Sequence, residues 1–239
     1  MADHLSRFAA AAGPDLLHAI RDAGLEQQFT RGDRIQAAGS AHPEGPILMI
    51  QSGFVSTVAI SAGGKSTLLS IHGPGDLVGE HALFGNASQA HWVSVRGMNK
   101  GSARRVPQDR FRQILRDYPQ GWEVLARHLE DRAAAAEERI CLMASETARR
   151  RLAVFLLQLL AYDESARTQD DQAQEIPLPL SQTELAGWVG VSRETVERVL
   201  REWATDEIVQ TRRRCLIVQD ILRLEKIADV WRPLPITAG

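Results

Sequence analysis

Apolar residues in the first half of the chain occur in short runs that glycine-rich turns interrupt. The run ILMIQSGFVSTVAI at positions 47–60 is rich in β-branched residues, breaks at Gly53, and is followed by a second turn signal at 62–65. No helical period is sustained from about residue 25 to residue 105. We therefore predict short strands and tight turns, assembled into a compact β-sandwich or barrel.

From Pro119 onward the pattern becomes that of one long helix. The segment WEVLARHLEDRAAAAEERICLMA contains strong helix formers and neither glycine nor proline. One side of the helix carries an apolar row, called the dimer stripe below: Trp122, Leu125, Ala126, Leu129, Ala133, Ala136, Ile140 and Met143. Its small alanines allow close approach of a second helix, which favours a parallel dimer. Packing of the row against the chain's own β-domain is the alternative, and both arrangements are open at different positions.

A second helix and a new hydrophobic core are predicted at residues 146–162, where the sequence ETARRRLAVFLLQLLAY contains the apolar run VFLLQLL. Residues 163–175 are polar and acidic, almost without apolar anchors, and predict a surface loop. The chain therefore has at least two regions that each form a core.

The segment LSQTELAGWVGVSRETVERVLREW predicts two short helices joined by a turn. A capping box at Ser181 and Glu184 starts the first helix, Gly190 ends it, and Ser192 caps the second. The inward faces are formed by Leu185, Trp188 and Val189 on the first helix and by Val196, Val199, Leu200 and Trp203 on the second. This is the pattern of a helix-turn-helix. The next stretch, EIVQTRRRCLIVQD, predicts a hairpin with Arg212, Arg213 and Arg214 at its tip, placed as a wing.

Three polar side chains begin the second helix, at the end that enters a major groove when such a motif docks. Arginine bonds two acceptors on guanine and glutamate accepts from cytosine, so Arg193, Glu194 and Arg198 suit base edges. Ser192, Thr195 and the helix N-terminus suit phosphates. The structural alternative is a solvated face with ion pairs Glu194–Arg198 and Glu197–Arg201.

Composition restricts how nucleic acid could be bound. The chain has 239 residues, a net charge of −2 and a pI near 6.4, so a uniformly basic protein is excluded and any DNA binding must be local. The two cysteines, Cys141 and Cys215, lie in no CxxC or Cys/His cluster, and we expect no metal site. No run is apolar enough for a membrane span, and MADHLSRFAAAAG lacks the layout of a secretory signal, so we expect a cytoplasmic protein without membrane contact.

The chain resembles the Crp/Fnr family of transcription regulators over nearly its whole length. The matching residues are Gly53, the stretch GPGDLVGEHALF at 73–84, the helix after Pro119, Arg151, and GVSRETVERVL. The resemblance implies an α+β fold in three parts: a β-roll sensor domain at 1–118, a dimerisation helix at 119–144, and a winged helix-turn-helix at 145–239. It also implies a homodimer on a palindromic site with GTGA-like half-sites, contacted by Arg193, Glu194 and Arg198, and it adds Gln182 and Thr183 to the residues at the DNA.

The same resemblance places an effector pocket in the β-roll, but the pocket is altered. Cyclic-AMP-binding members hold the cyclic phosphate with an Arg-Ser or Arg-Thr pair; here Ala90 or His91, depending on a one-residue gap, stands at the arginine's place and Trp92 follows. The positions that meet adenine align with Ala136 and Glu137. We therefore hypothesise that cyclic AMP is not the physiological effector. The pocket either binds another small molecule or is vestigial.

Other cofactors are weighed from the same region. His81 falls near the place of a haem ligand in a carbon-monoxide-sensing member, but Gly79 stands where that member has its cysteine ligand, and we expect no haem. For Glu80, a ribose contact and a purely structural role in the turn both stay open.

The sequence thus predicts a DNA-binding transcription regulator rather than an enzyme, because no Ser/His/Asp set, P-loop, HExxH or framed carboxylate pair is present. Double-stranded DNA and a second copy of the chain are the expected partners, and RNA polymerase is a candidate. The alternative is a small-molecule sensor whose helix-turn-helix contacts another protein.

Overall fold

The computed structural model describes residues 8–37, 45–60, 66–84, 93–162, 173–176, 178, 180–212 and 215–228. The chain forms two compact units that divide between residues 138 and 139. This boundary lies inside a helix, whereas the sequence set that helix apart as a segment of its own at 119–144. The division into 1–118, 119–144 and 145–239 stays a prediction.

The N-terminal unit is built mainly from short antiparallel strands, as the hydrophobic pattern predicts. It begins with a helix that the sequence analysis did not identify, α1 (Phe8–Ala23). The strands are β1 (Leu25–Phe29), β2 (Arg34–Gln36), β3 (Ile47–Ser52), β4 (Val55–Ile60), β5 (Ser66–His72), β6 (Leu77–Val78), β7 (Val93–Gly97) and β8 (Gly101–Val106). Within the described residues they form two sheets, in the orders β1-β8-β3-β6 and β2-β7-β4-β5.

The apolar run at the start of β3 is explained by burial of both of its faces. Leu48 and Ile50 belong to one buried cluster, formed with residues of both sheets. Ile47 and Met49 point the other way, into a second cluster that includes residues of α1 and of the helices after β8. A strand covered on both faces needs apolar residues at successive positions rather than in alternation.

The turn between β3 and β4 forms at the predicted glycine. Gly53 has a φ of 71°, and a Cβ there would lie 2.6 Å from the carbonyl oxygen of Lys100. A side chain is therefore excluded both by the left-handed conformation and by the close approach of backbone.

Two helices follow the strands: α2 (Gln108–Asp117) and α3 (Gln120–Ser145). The prediction of one long helix from Pro119 is confirmed. Leu125 of α3 is fully buried in the cluster that holds Ile47. At this position the chain packs against its own unit, the alternative that the sequence left open, so Leu125 is not part of a surface that a second copy could cover.

The C-terminal unit contains α4 (Ala148–Leu160), β9 (Gln174–Glu175), α5 (Gln182–Val189), α6 (Arg193–Thr205), β10 (Val209–Arg212), β11 (Cys215–Val218) and α7 (Ile221–Ala228). Within the described residues its sheet has the order β10-β11-β9. The prediction of loop up to residue 175 is wrong at its end, because Gln174 and Glu175 pair with β11. That pairing is a tertiary contact with no local sequence signal. The α+β fold class and the winged helix-turn-helix are confirmed.

Candidate functional site

The two helices of the helix-turn-helix begin and end where their capping residues lie. Ser181 Oγ accepts a hydrogen bond from the Glu184 backbone N–H at 3.2 Å, and Glu184 Oε2 accepts from the Ser181 backbone N–H at 2.8 Å. Gly190 ends α5 with a φ of 70°. Ser192 Oγ then accepts from the Thr195 backbone N–H at 3.2 Å and starts α6. The predicted capping box, turn and cap are all present, so the geometry of the motif is fixed by local bonds.

Helix α6 has one buried and one exposed face. Val196, Val199, Leu200 and Trp203 are buried in the core of the unit. Arg193, Glu194 and Arg198 are exposed, as predicted. The first two turns of α6 therefore present two cations and an anion to solvent on a helix whose opposite face is held by the core.

The ion pairs on this exposed face differ from those expected from spacing. Glu194–Arg198 and Glu197–Arg201 are absent among the described residues, and that part of the structural alternative is wrong. Instead Arg193 Nε and Nη2 both donate to Glu197 Oε1, at 3.1 and 2.9 Å. Arg198 Nη1 donates to Glu202 Oε1 at 2.8 Å. Each arginine thus pairs with the glutamate one turn towards the C-terminus.

Glu194 is engaged locally, which explains why it does not pair with Arg198. Its carboxylate accepts hydrogen bonds from its own backbone N–H and from the Ser192 hydroxyl, and these bonds lower the pKa of Glu194. The group is therefore ionised at neutral pH and acts as an acceptor only. This is the state required to accept a hydrogen bond from the amino group of cytosine.

Most of the remaining predicted DNA contacts lie at the starts of α5 and α6 and at the end of β10. Thr183 is exposed and Gln182 half-buried in the first turn of α5, and Thr195 Oγ1 lies 3.1 Å from Ser192 Oγ. Arg212, at the end of β10, is exposed and its Nε donates to Gln210 Oε1 at 3.1 Å. Arg213 and Arg214 lie outside the described residues.

In the N-terminal unit, Gly79 and Glu80 form a tight polar turn after β6. Gly79 has a φ of 91°, and a Cβ there would lie 2.8 Å from the carbonyl oxygen of Pro46. Glu80 follows in a single 3-10 turn (Glu80–Leu83) and is fully buried. Its Oε1 accepts from Arg132 Nη1 of α3 and lies 3.4 Å from Nε2 of the exposed His81. Its Oε2 has no partner among the described residues.

Three further polar groups of this region were missed from sequence: Arg132, His72 and His128. His72 Nε2 lies 2.8 Å from Ser70 Oγ, which itself bonds Thr57 Oγ1. Burial, and then the charges of Arg132, His128 and His81, hold the pKa of His72 well below its usual range. His128 is buried, and neither of its ring nitrogens has a partner among the described residues. The only sequence feature that pointed to Arg132 as a pocket residue was its position one helical turn before Ala136, which was itself predicted to line the pocket.

Two family models match the chain, and they match the two units just described. The model of the cyclic nucleotide-binding domain matches residues 26–118, and that of the Crp-like helix-turn-helix domain matches residues 150–227. Together they span well over half of the sequence.

The chain belongs to the Crp/Fnr family of transcription regulators. Members of this family are DNA-binding regulators and not enzymes, which confirms those two predictions.

Individual relatives agree with this assignment. The chain is 25% identical to the transcriptional activator protein Anr of Pseudomonas aeruginosa over 186 residues, which are 78% of this chain and 74% of that one. It is 28% identical over 200 residues to the CRP-like cAMP-activated global transcriptional regulator of Mycobacterium tuberculosis, covering 84% and 86% of the two chains. A solved structure of a Crp/Fnr-family regulator from Thermus thermophilus superposes with a TM-score of 0.67 at 26% identity, over 86% of this chain and 99% of that one.

Within this family frame, the dimer stripe of α3 has three kinds of positions. Leu125 is in the core, as described, and Leu129 is half-buried against the same cluster. Trp122, Ala126, Ala133, Ala136 and Ile140 are exposed. Met143 lies against the helix-turn-helix, since its Sδ would be 2.8 Å from a Cβ on Gly190.

Several predicted effector residues are not brought together with Glu80 by the described structure. Ala136 and Glu137 are exposed on α3. Ala90, His91 and Trp92 lie outside the described residues. Among the described residues, the residue of α3 that bonds Glu80 is Arg132, which the sequence analysis did not predict.

The described residues contain neither a metal-binding cluster nor a membrane-spanning helix. No group of three or more His, Cys, Asp or Glu side chains in the described ranges is arranged to hold a metal ion, and both cysteines are free thiols. Among the described helices, none combines the length and the hydropathy that a membrane span requires.

Proposed function

We propose that this Crp/Fnr regulator binds DNA sequence-specifically as a homodimer on a palindromic site. The observation that carries the proposal is the first two turns of α6, where Arg193, Glu194 and Arg198 are exposed while the other face of the same helix is buried. A helix anchored in this way presents its polar end to a major groove without rearrangement.

The chemistry of each side chain supports a separate role. The guanidinium groups of Arg193 and Arg198 match the two acceptors of guanine, and the ionised Glu194 matches the amino donor of cytosine. Ser192 and Thr195, at the helix N-terminus, suit phosphate oxygens. Gln182, Thr183 and the wing arginines 212–214 would add contacts to the backbone.

The exposed part of the dimer stripe supports the homodimer. Ala126, Ala133 and Ile140 alternate with Leu129 and Ala136 at spacings of three and four residues, which is the repeat of a two-stranded coiled coil. Ile140 is 67% exposed on the single chain. A second copy of α3 would cover this row, and its two-fold symmetry would place the half-sites about one helical turn apart.

The experiment that tests the proposal is selection of binding sites from random DNA by the full-length protein. A palindromic consensus is expected. Arg193→Ala should lose about 1–3 kcal/mol on that site and relax discrimination at one base pair, whereas Arg212→Ala should weaken all sequences alike. Equal loss of specific and random DNA by Arg193→Ala contradicts the base-contacting role. Failure to select any site favours the alternative in which the helix-turn-helix contacts a protein.

We further propose that the effector pocket is degenerate or has an altered specificity. The stretch GEHALFGNASQAHW at 79–92 contains no lysine or arginine that could hold a cyclic phosphate. Arg132 is the cation beside Glu80, but its charge is already balanced by that carboxylate. Loss of a charge-assisted bond weakens binding by about one to two orders of magnitude.

Isothermal calorimetry with cyclic AMP tests this second proposal. We expect no binding in the low micromolar range. Binding at nanomolar or low micromolar concentration would show that the site does accept a cyclic nucleotide. DNA binding that is unaffected by candidate nucleotides would indicate a vestigial pocket and constitutive regulation. Contact with RNA polymerase and a cytoplasmic location are further parts of the proposed regulatory function.

A further inference from the structure

The last turns of α3 contact the helix-turn-helix through a cation–π interaction between an arginine and a tryptophan. The Cζ atom of Arg139 lies 4.0 Å from the centroid of the Trp188 ring, and Arg139 Nη2 donates to the Trp188 carbonyl oxygen at 3.2 Å. The same ring stacks on Phe155 of α4, with a centroid distance of 4.7 Å and an interplanar angle of 24°. One guanidinium thus meets both the ring and the backbone at the C-terminal end of α5.

This contact is stronger than an ordinary surface pair for two reasons. Arg139 and Trp188 are half-buried, and desolvation lowers the pKa of the Arg139 guanidinium from its usual value. A cation over an indole is attracted more strongly when water is excluded. The carbonyl of Trp188 is also one of the last in α5, where a positive charge is favoured by the helix dipole.

A second contact lies one helical turn further along α3. Met143 Sδ fills the space beside Gly190, and Arg151 Nη1 of α4 donates to the same sulfur at 3.2 Å. Gly190 is the residue at which the chain leaves α5, two positions before the cap of α6. The end of α3 therefore holds both the last turn of α5 and the turn that sets the direction of α6.

We propose that Arg139 is a positioning residue. It fixes the angle between α6 and the end of α3, and this angle sets the half-site spacing that a dimer accepts. The inference rests on the proposed function, since spacing has meaning only for a dimer on a two-part site. Arg139 acts through Trp188 and not by contact with a base. Its removal should change the tolerance for spacing and leave the preferred bases unchanged.

The experiment measures binding of the full-length protein to duplexes that carry the selected palindrome with the centre lengthened or shortened by one or two base pairs. Wild-type protein is expected to prefer one spacing. In Arg139→Ala the preference should fall by about tenfold, the ratio that corresponds to loss of a desolvated cation–π contact. The preferred bases of each half-site, determined by a second selection, should stay the same. An unchanged spacing preference in a folded Arg139→Ala protein would overturn the proposal.

Arg127→Ala is the matched control, because Arg127 lies on the same helix, is exposed, and within the described part of the chain pairs only with Glu123, one turn away, at 2.6 Å. It should behave as wild type. Arg139→Lys keeps the charge without the planar group, and Trp188→Phe keeps a weaker ring, so both should give intermediate spacing preferences. If Arg139→Ala fails to fold, Arg139→Lys and Trp188→Phe provide the test. A wild-type spacing preference in both would refute the positioning role of Arg139.

The two proposals fail differently. A wild-type protein that shows no spacing preference at all would overturn the palindromic dimer itself, and this is seen before any variant is made. A wild-type preference that survives in every variant would overturn the role of Arg139 alone.

Discussion

At the scale of single residues, two of the exposed arginines of α6, Arg193 and Arg198, are paired with acids rather than free. Arg193 and Arg198 each bond the glutamate that follows four residues later, and Glu202 also accepts from Arg149 of α4 at 3.2 Å. Any DNA that uses these arginines must compete with carboxylates on the same helix. Non-specific binding rests almost entirely on electrostatic attraction to phosphates, which nearby carboxylates oppose, whereas specific binding also gains directional hydrogen bonds to base edges. The acids would therefore weaken non-specific binding more than specific binding.

Glu197→Gln tests this competition. The variant should bind random duplex about two- to fivefold more tightly at low salt, since an intrahelical pair and a negative charge facing phosphates are both removed. The ratio of specific to non-specific affinity should fall. Competition gel shifts measure both quantities. Glu225→Gln, on the exposed face of α7, is the control; an equal gain there would mean that net charge alone is responsible.

His72 gives a second prediction, in the N-terminal unit. Its pKa is held well below the usual range by burial and then by Arg132, His128 and His81. In the unfolded chain the His72 imidazole takes up a proton near its ordinary pKa of about 6.5, whereas in the folded chain the lowered pKa keeps the ring neutral. The contribution of His72 to the free energy of unfolding is therefore fully present above that pH and is lost as the pH falls below it. The slope contributed by one such group is at most about 1.4 kcal/mol per pH unit.

His72→Gln should therefore flatten the loss of stability between about pH 6.5 and pH 5. Urea unfolding of the N-terminal unit at several pH values measures the slope. His18→Gln, at an exposed position of α1, should leave the slope as in wild type. A His72→Gln protein with the wild-type slope would show that other groups govern the acid response.

At the scale of elements, the helix-turn-helix could be predicted almost completely. Its caps at Ser181 and Ser192, the glycine at 190 and the inward faces are local signals, because each concerns residues within about one helical turn of each other. The ion pairs could not be predicted from spacing. The Glu194 carboxylate can accept either from Arg198 or from the donors at the helix N-terminus, and in the structure it accepts from the latter. Strand β9 was missed for a similar reason, because its partner β11 lies beyond α6.

Gly190→Ala is the prediction at this scale. The residue has a left-handed backbone, and its Cβ would lie 2.8 Å from Met143 Sδ, so the change should destabilise the C-terminal unit by about 1–3 kcal/mol. Gly187→Ala is a close control. Gly187 lies within α5, and among the described residues no atom outside its own stretch of helix backbone is within 4 Å of the position of its Cβ.

Gly187→Ala should be neutral or stabilising by up to about 1 kcal/mol. Thermal unfolding followed by circular dichroism measures both variants. Similar melting temperatures for the two would contradict the special role of the turn.

At the scale of the whole molecule, the proposed function requires two chains to associate through α3. The single chain leaves Ala126, Ala133, Ala136 and Ile140 exposed and buries Leu125 in its own core. The row that the sequence identified is thus divided: one edge packs into the chain's own core, and the other is exposed to solvent. Hydrophobic spacing alone predicts both edges equally.

Ala133→Glu should place a charge in the row and shift the protein from dimer to monomer. Affinity for the palindrome should fall by at least about tenfold, because two linked half-sites bind more tightly than one. Sedimentation velocity and gel shifts measure the two effects. Ala134→Glu makes the same change at the neighbouring exposed alanine, outside the row, and should leave the protein dimeric. Dimers in both variants would place the interface elsewhere.

The fold class, the helix boundaries of the DNA-binding motif and the exposure of Arg193, Glu194 and Arg198 could all be predicted from the order of residues. These follow from periodicity and capping, which act over a few residues and leave a local trace. In contrast, the contact of Arg132 with Glu80 across 52 positions of sequence, and that of Arg139 with Trp188 across 49, arise when the elements pack together. Such contacts are chosen by the packing of whole elements, and neither residue of a pair carries a local signal of its partner.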